Sequence, residues 1–201
     1  MLFRSVVCTF NERRTGKDVN AANPRGPNKF GHIIEIIPPT VNGKADHGAT
    51  ECRWEFFIMG GDPKNPEHAA RYGSGKSAVS STGWLAAPDN ITFDPRGRIW
   101  IATDGQSEWA DFADSFYAAE TSGPKRGVPR NFFSSPRGAE ITGPAFTPDG
   151  KTLFLSIQHP AEETGSTFDK PSTRWPDFQP NMPPRSSVVA ITKADGGEIG
   201  T

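Results

Sequence analysis

An all-β chain of short antiparallel strands, arranged as consecutive blades of a β-propeller with long loops and one short helix, is the fold the sequence predicts. Three observations carry this expectation. Glycine and proline, 21 and 19 of 201 residues, punctuate the chain often, and the hydrophobic share is only 34%, so long packed helices cannot dominate. The apolar residues come in runs of strand length: Ile33-Ile34-Glu35-Ile36-Ile37, Trp54 to Met59, Ile99 to Ala102, Leu153 to Ile157 and Val188 to Ile191. One hairpin also occurs twice. Phe93-Asp94-Pro95-Arg96-Gly97-Arg98-Ile99-Trp100-Ile101-Ala102 matches Phe146-Thr147-Pro148-Asp149-Gly150-Lys151-Thr152-Leu153-Phe154-Leu155-Ser156 with one inserted residue, and the two leading phenylalanines lie 53 positions apart. A hairpin recurring at about 50 residues marks propeller blades.

In chain order, a strand-like stretch from Phe3 to Phe10 precedes a polar, proline-containing linker, Asn11 to Asn28. The Ile33 and Trp54 strands follow. In each copy of the hairpin, proline sets φ at the turn entry and glycine takes the positive φ of a tight turn. In Arg98 to Thr103 both alternating sets are apolar, Ile99 and Ile101 on one face and Trp100 and Ala102 on the other, as in an inner strand covered on both sides. Trp109, Phe112, Ala113, Phe116 and Tyr117 stand at i, i+3, i+4, i+7 and i+8, and this spacing predicts a helix over 109–117. A second linker, Ala161 to Pro184, leads to the last strand; both linkers are long enough to be functional loops. Blades of about 40 to 50 residues would number about four here, yet only two carry the repeat, so the chain reads as a segment of a larger ring. The edges of such a segment are open to pairing with another chain.

Lys plus Arg number 22 against 23 Asp plus Glu, for a net charge of −1. This balance excludes a basic surface for nucleic acid or an anionic membrane, and neither partner is expected. No stretch approaches the ~18 apolar residues of a membrane span, and the sequence predicts no export signal or anchor in the chain as it stands. Two cysteines, Cys8 and Cys52, are fewer than a disulfide-held secreted domain carries, although a Cys8–Cys52 bridge is one option.

Hard oxygen donors of the kind calcium or magnesium needs recur at equivalent blade ends. Pro88-Asp89-Asn90 precedes the first repeated strand, Asp104 follows its partner, and Ala139-Glu140-Ile141-Thr142-Gly143-Pro144 precedes the second copy. Asp89, Asn90 and Asp104 also suit turns, which such residues commonly build. Glu140 has no evident turn purpose, which makes it the best candidate for metal or acid–base work. Arg25, after Asn23-Pro24, and Arg137, three residues before Glu140, are placed to clamp phosphate or carboxylate, or else to sit solvated on loops. His159, in Gln158-His159-Pro160, is equally a ligand-binding or a structural histidine. A Gly-x-Ser-x-Gly elbow, a His-Glu-x-x-His motif, a phosphate loop and a Cys-x-x-Cys pair are all missing, which weakens the hydrolase, zinc-protease and nucleotide readings tied to them.

Taken together, Asn11-Glu12-Arg13-Arg14, Ala22-Asn23-Pro24-Arg25, Gly31-His32-Ile33, Pro88-Asp89-Asn90, Gly97 to Gly105, Gly138 to Pro144 and Gln158-His159-Pro160 resemble, in order, the C-terminal part of a PhoX-type alkaline phosphatase. Pro171 to Pro176 and Pro183 to Val188 fit as well. Phe10 stands where that family usually has an asparagine, and Ala161 where a glycine usually follows the Gln-His-Pro. The resemblance implies that residues 1–201 are a C-terminal portion of a single, roughly six-bladed propeller domain, completed by an N-terminal part of the same ring. It also implies hydrolysis of a small-molecule phosphomonoester at a calcium and iron cluster, in a periplasmic or secreted enzyme. Within it, Glu140, Arg25 and Arg137 would be catalytic, Asn23, Arg25 and His159 would bind substrate, and Asp89, Asn90, Asp104 and Glu140 would hold metal. A calcium-dependent lactonase or esterase propeller, or a non-catalytic propeller fragment, are the alternatives.

Overall fold

The computed structural model describes residues 19–73, 79–80 and 83–201, together with the backbone of 5–9. The Asn11 to Arg14 motif, Phe10 and the first part of the linker that follows lie outside the described residues. Among the described residues there are thirteen strands: β1 (Ser5–Thr9), β2 (His32–Ile37), β3 (Thr40–Val41), β4 (Lys44–Ala45), β5 (Arg53–Met59), β6 (Arg71–Tyr72), β7 (Pro88–Phe93), β8 (Ile99–Thr103), β9 (Ser115–Ala119), β10 (Arg130–Ser134), β11 (Glu140–Phe146), β12 (Thr152–Gln158) and β13 (Ser187–Thr192). They form an antiparallel sheet β1-β2-β5-β6, a second β7-β8-β9-β10, a third β11-β12-β13, and the small β3-β4 hairpin. Each of the three main sheets adds its strands in chain order, and the first strand of the second sheet, β7, adjoins the first strands of the other two, β1 and β11. The fold is all-β, as the sequence predicts.

The middle sheet explains why β8 is apolar on both faces. All five of its residues are buried. Ile99 and Ile101, with Tyr117 and Ala119 of β9, pack with Ile33, Phe57, Ile58 and Leu85 between the first and second sheets. Trp100, Ala102 and Phe116 pack with Ile141, Leu153, Leu155 and Ile157 between the second and third. Trp100 stacks on Phe116 at 5.3 Å and meets Phe132 and Phe146 at 5.0 and 5.1 Å. Such aromatic pairs add about 0.5–1.5 kcal/mol each to the burial itself.

Both copies of the repeated hairpin fold alike. Phe93 pairs with Ile99 and Phe146 with Leu153, and Gly97 and Gly150 turn at φ 80° and 68°.

One expectation is corrected, and one open option is decided. The stretch 109–117 is not a helix: a 3-10 turn covers Gln106–Glu108, and β9 begins at Ser115. Phe116 and Tyr117 are neighbours on a strand paired on both sides, so they project to opposite faces and both are fully buried, the period of two displacing the helical one. The loop between is wound on Asp114, whose carboxylate accepts from Thr103 Oγ1 at 2.7 Å, Gln106 N at 2.8 Å and Gly105 N at 3.1 Å. Burial pushes its pKa up. Nor do the cysteines pair. Cys8 lies opposite Ile33 in β1, while Cys52 precedes Arg53, which lies opposite Ile37 beyond β2, and Cys52 is an exposed free thiol. A strand intervenes and the register is offset, which puts the two Cα atoms beyond the ~7 Å a disulfide bridges.

No helix among the described residues is long and apolar enough to cross a membrane.

Candidate metal centre

The starts of β7 and β11 and the ends of β8 and β12 meet at one end of the second and third sheets. There Asp89, Asp104 and Glu140 each offer a carboxylate oxygen, and these atoms lie within 4.8 Å of one another. Local backbone features aim them. In the β7–β8 ladder Pro88 faces Thr103 and Asn90 faces Ala102, so Asp89 is the extra residue of a bulge, a device that redirects a side chain. Asp104 is held by its backbone N–H, which donates to the Ala87 carbonyl at 3.0 Å, two residues before Asp89. Glu140 lies directly opposite Gln158.

Glu140 is 8% exposed. Its Oε2 accepts from Gln158 Nε2 at 2.8 Å and meets His159 Nε2 at 3.1 Å. Burial raises its pKa, and Asp104 and Asp89 push the same way against the lowering effect of His159. The His159 ring is held at both nitrogens, Nδ1 lying 2.8 Å from Glu162 Oε2. Burial works against its charge, but Glu140 and Glu162 outweigh burial and its pKa is raised. When protonated, His159 donates from both nitrogens, which orients Glu140 and favours its ionised form.

The turn carrying His159 docks on the turn carrying Arg137. Ala161 N donates to Arg137 O at 2.9 Å and Glu162 N to Gly138 O at 3.2 Å. Gly138, at φ 68°, admits this approach: a Cβ there would stand 2.8 Å from Glu162 N. Ala161 itself holds φ 72°, a left-handed conformation that costs an L-residue about 1 kcal/mol. The turn conformation is thus kept without a glycine. Ala161→Gly is expected to shift the thermal midpoint by less than about 2 °C, because the relieved strain and the added unfolded-state entropy nearly cancel, and thermal unfolding checks it.

The remaining expected site residues stand elsewhere. Arg137 binds both oxygens of Glu163 through Nε at 2.9 Å and is 72% exposed. Arg25 is not open to a phosphate. Its Nη1 donates to the carbonyls of Gly60 and His68 at 2.7 and 2.9 Å and its Nη2 to that of Gly31 at 2.5 Å, closing a corner of the first sheet, and burial lowers its pKa to about 10. Asn23 is buried and accepts from Asn28 Nδ2 at 3.2 Å. Asn28 Nδ2 also lies 2.8 Å from His32 Nδ1. An amide nitrogen only donates, so Nδ1 of His32 is the acceptor of a neutral ring.

Burial and then Arg25 lower the His32 pKa to about 4. Its folded value lies below its unfolded one, so its contribution is complete above about pH 6.5 and is lost as pH falls toward 4. The loss reaches up to about 3 kcal/mol, and His32→Gln is expected to flatten the fall in urea-unfolding free energy over that window.

Sequence reasoning missed Gln158 as a partner of Glu140, because the pairing exists only through the β11–β12 register. It missed Asp114, whose burial nothing local announces.

Comparison with known proteins follows the same lines. The family described as alkaline phosphatase PhoX matches residues 5–161. Among solved structures, Pseudomonas fluorescens PhoX in complex with vanadate, a transition-state analogue, is similar with a TM-score of 0.77 and 33% identity over 98% of this chain. The chain spans 33% of that protein's length. No curated protein matches the sequence.

Proposed function

The chain belongs to the alkaline phosphatase PhoX family, and on that premise we propose that it supplies a cation site, and part of a β-propeller, to a metal-dependent phosphomonoesterase. The observation that supports this most is the convergence of Asp89 in β7, Asp104 just after β8 and Glu140 at the start of β11, with carboxylate oxygens within 4.8 Å of one another. Three acids crowded this closely repel one another, and Asp104 and Asp89 add to burial in raising the pKa of Glu140. A bound divalent cation removes that penalty, and an all-oxygen donor set suits calcium. The iron implied by the resemblance finds no thiolate among the described residues of the cluster, and no step is derived through it.

When bound, the cation would polarise the phosphoryl group and neutralise charge developing on its oxygens. The chain's own residues perform the orienting work. Gln158 and His159 hold Glu140 Oε2, which leaves Oε1 for the cation. Arg137 spends only Nε on Glu163, so its two terminal nitrogens remain to clamp a phosphate beside Glu140. Asn23 and Arg25 build the first sheet's corner and serve the site through the fold. The sheets in chain order, with adjoining first strands, support the propeller, and further blades from an N-terminal part of the same polypeptide would complete the ring. A periplasmic or extracellular setting, which the resemblance implies, belongs to the same proposal.

The test is calcium and iron analysis of the purified chain together with p-nitrophenyl phosphate hydrolysis in the presence of both metals. Bound calcium without turnover in the isolated chain, with turnover that a chelator abolishes and calcium restores once the N-terminal part of the ring is present, is the expected result. Turnover indifferent to chelation overturns the proposal, and turnover of a lactone but not the phosphoester favours the lactonase. Calcium without turnover places the cation site here and the remaining chemistry in the rest of the ring.

A further inference from the structure

Building on the cation reading above, we propose that Asn90 is a positioning residue and not a metal ligand: its amide clamps the second sheet to the third and holds one oxygen of Asp89, leaving the other for the cation. On a regular strand the side chains of residues 89 and 90 would point to opposite faces. The bulge at Asp89 cancels that alternation, and Asn90 Nδ2 donates to Asp89 Oδ2. The carbonyl end of the same amide reaches across to β11, accepting from Thr142 Oγ1 at 2.6 Å and from Gly143 N at 3.1 Å. That N–H is available because β11 has its own irregularity between Thr142 and Ala145, where Gly143 takes φ 57° and leaves the ladder.

An amide oxygen has two lone pairs, and both are taken; an amide nitrogen has none to give. Asn90 is therefore spent as a ligand while it links two acids of the cluster: it orients Asp89 and grips the strand that begins with Glu140. Two irregular strands facing each other create the arrangement, which a change in either would release.

The substitutions Asn90→Asp and Thr142→Val separate the two roles. Asn90→Asp keeps an oxygen to accept from Thr142 and Gly143 but replaces the donor to Asp89 with a second carboxylate. A ligand at position 90 would bind calcium as well or better once charged; a positioning amide would not. Calcium titration calorimetry on the 201-residue chain is expected to show binding weakened at least about 10-fold in Asn90→Asp and severalfold in Thr142→Val, with Thr142→Ser restoring the wild-type value. Unfolding of the same variants in chelator confirms that they are folded, and the hydroxyl dependence of calcium affinity is a change that loss of packing alone would not produce. Unchanged or tighter binding in Asn90→Asp, beside a wild-type chain that binds calcium, overturns the positioning role and leaves the cation site standing. A wild-type chain that binds no calcium at millimolar concentration overturns both.

Discussion

Glu140→Gln is expected to lower the affinity of the acidic cluster for calcium by at least about 100-fold, equivalent to about 2.7 kcal/mol, while leaving the metal-free chain as stable as before or more so. The two signs come from one cause. Glu140 is 8% exposed, is pressed by Asp104 and Asp89, and has a raised pKa. A carboxyl whose folded pKa exceeds its unfolded one contributes stability at low pH that is lost as pH rises through the folded value. Ionising Glu140 in the metal-free fold therefore carries a cost, and a cation is what offsets it. Glutamine keeps an oxygen to accept from Gln158 and removes the charge, so it relieves the repulsion and removes the attraction together. Calcium titration at neutral pH and thermal unfolding in chelator from pH 4 to 8 measure both: the variant should lose the calcium-induced rise in midpoint and the metal-free fall that begins as pH rises past the ordinary carboxylate value. Calcium affinity within about threefold of wild type would remove Glu140 from the site.

Why the three acids were legible while their supports were not is a matter of range. Asp89, Asp104 and Glu140 occupy equivalent ends of a repeated hairpin, and a repeat carries equivalent positions to the same place in space. The strands around Ile33, Ile99 and Leu153 were legible because each is apolar beyond what a turn permits. β10 was not, since Arg130 to Ser134 lies at a sheet edge with alternate residues exposed and only two aromatics to mark it. The 109–117 stripe misleads because helical and strand spacings agree over a few residues and part only where pairing on both sides takes over. Arg25 shows the same limit at long range. A loop arginine after a proline suits an anion, but its partners are carbonyls up to 43 residues away, which no local pattern displays. Asn90 and Gln158 bond across a bulge and a register, features that emerge only when strands have paired.

The largest stability effect is expected at Asp94, in the turn of the first hairpin. Asp94→Ala should destabilise the chain by about 3–5 kcal/mol, lowering the thermal midpoint by roughly 10 °C. The side chain is buried and makes four hydrogen bonds, to Arg96 N at 2.9 Å, Arg98 N at 3.0 Å, Arg98 Nε at 2.6 Å and Trp100 Nε1 at 2.8 Å. It thus closes its own turn, pairs a guanidinium that is 14% exposed, and satisfies the indole of the largest residue between the second and third sheets. Through Arg98 it also holds the end of the chain, since that guanidinium donates to the carbonyls of Ile199 and Gly200. Alanine leaves the Arg98 cation without its counter-charge, and Arg98 Nε and a buried indole N–H without an acceptor, the situation in which removing one partner costs most. Asparagine should be nearly as damaging, because its amide would point a donor at the donors of Arg98 or Trp100. The second hairpin supplies the control: Thr147 closes the matching turn by accepting from Thr152 N at 3.0 Å and donating to Asp149 at 2.6 Å, with no indole or guanidinium dependent on it. Thr147→Ala should cost only about 1 kcal/mol. Equal losses at the two turns in urea unfolding would show that Asp94 acts as a turn residue alone, whereas a gap of 2 kcal/mol or more assigns the difference to the Arg98 and Trp100 bonds.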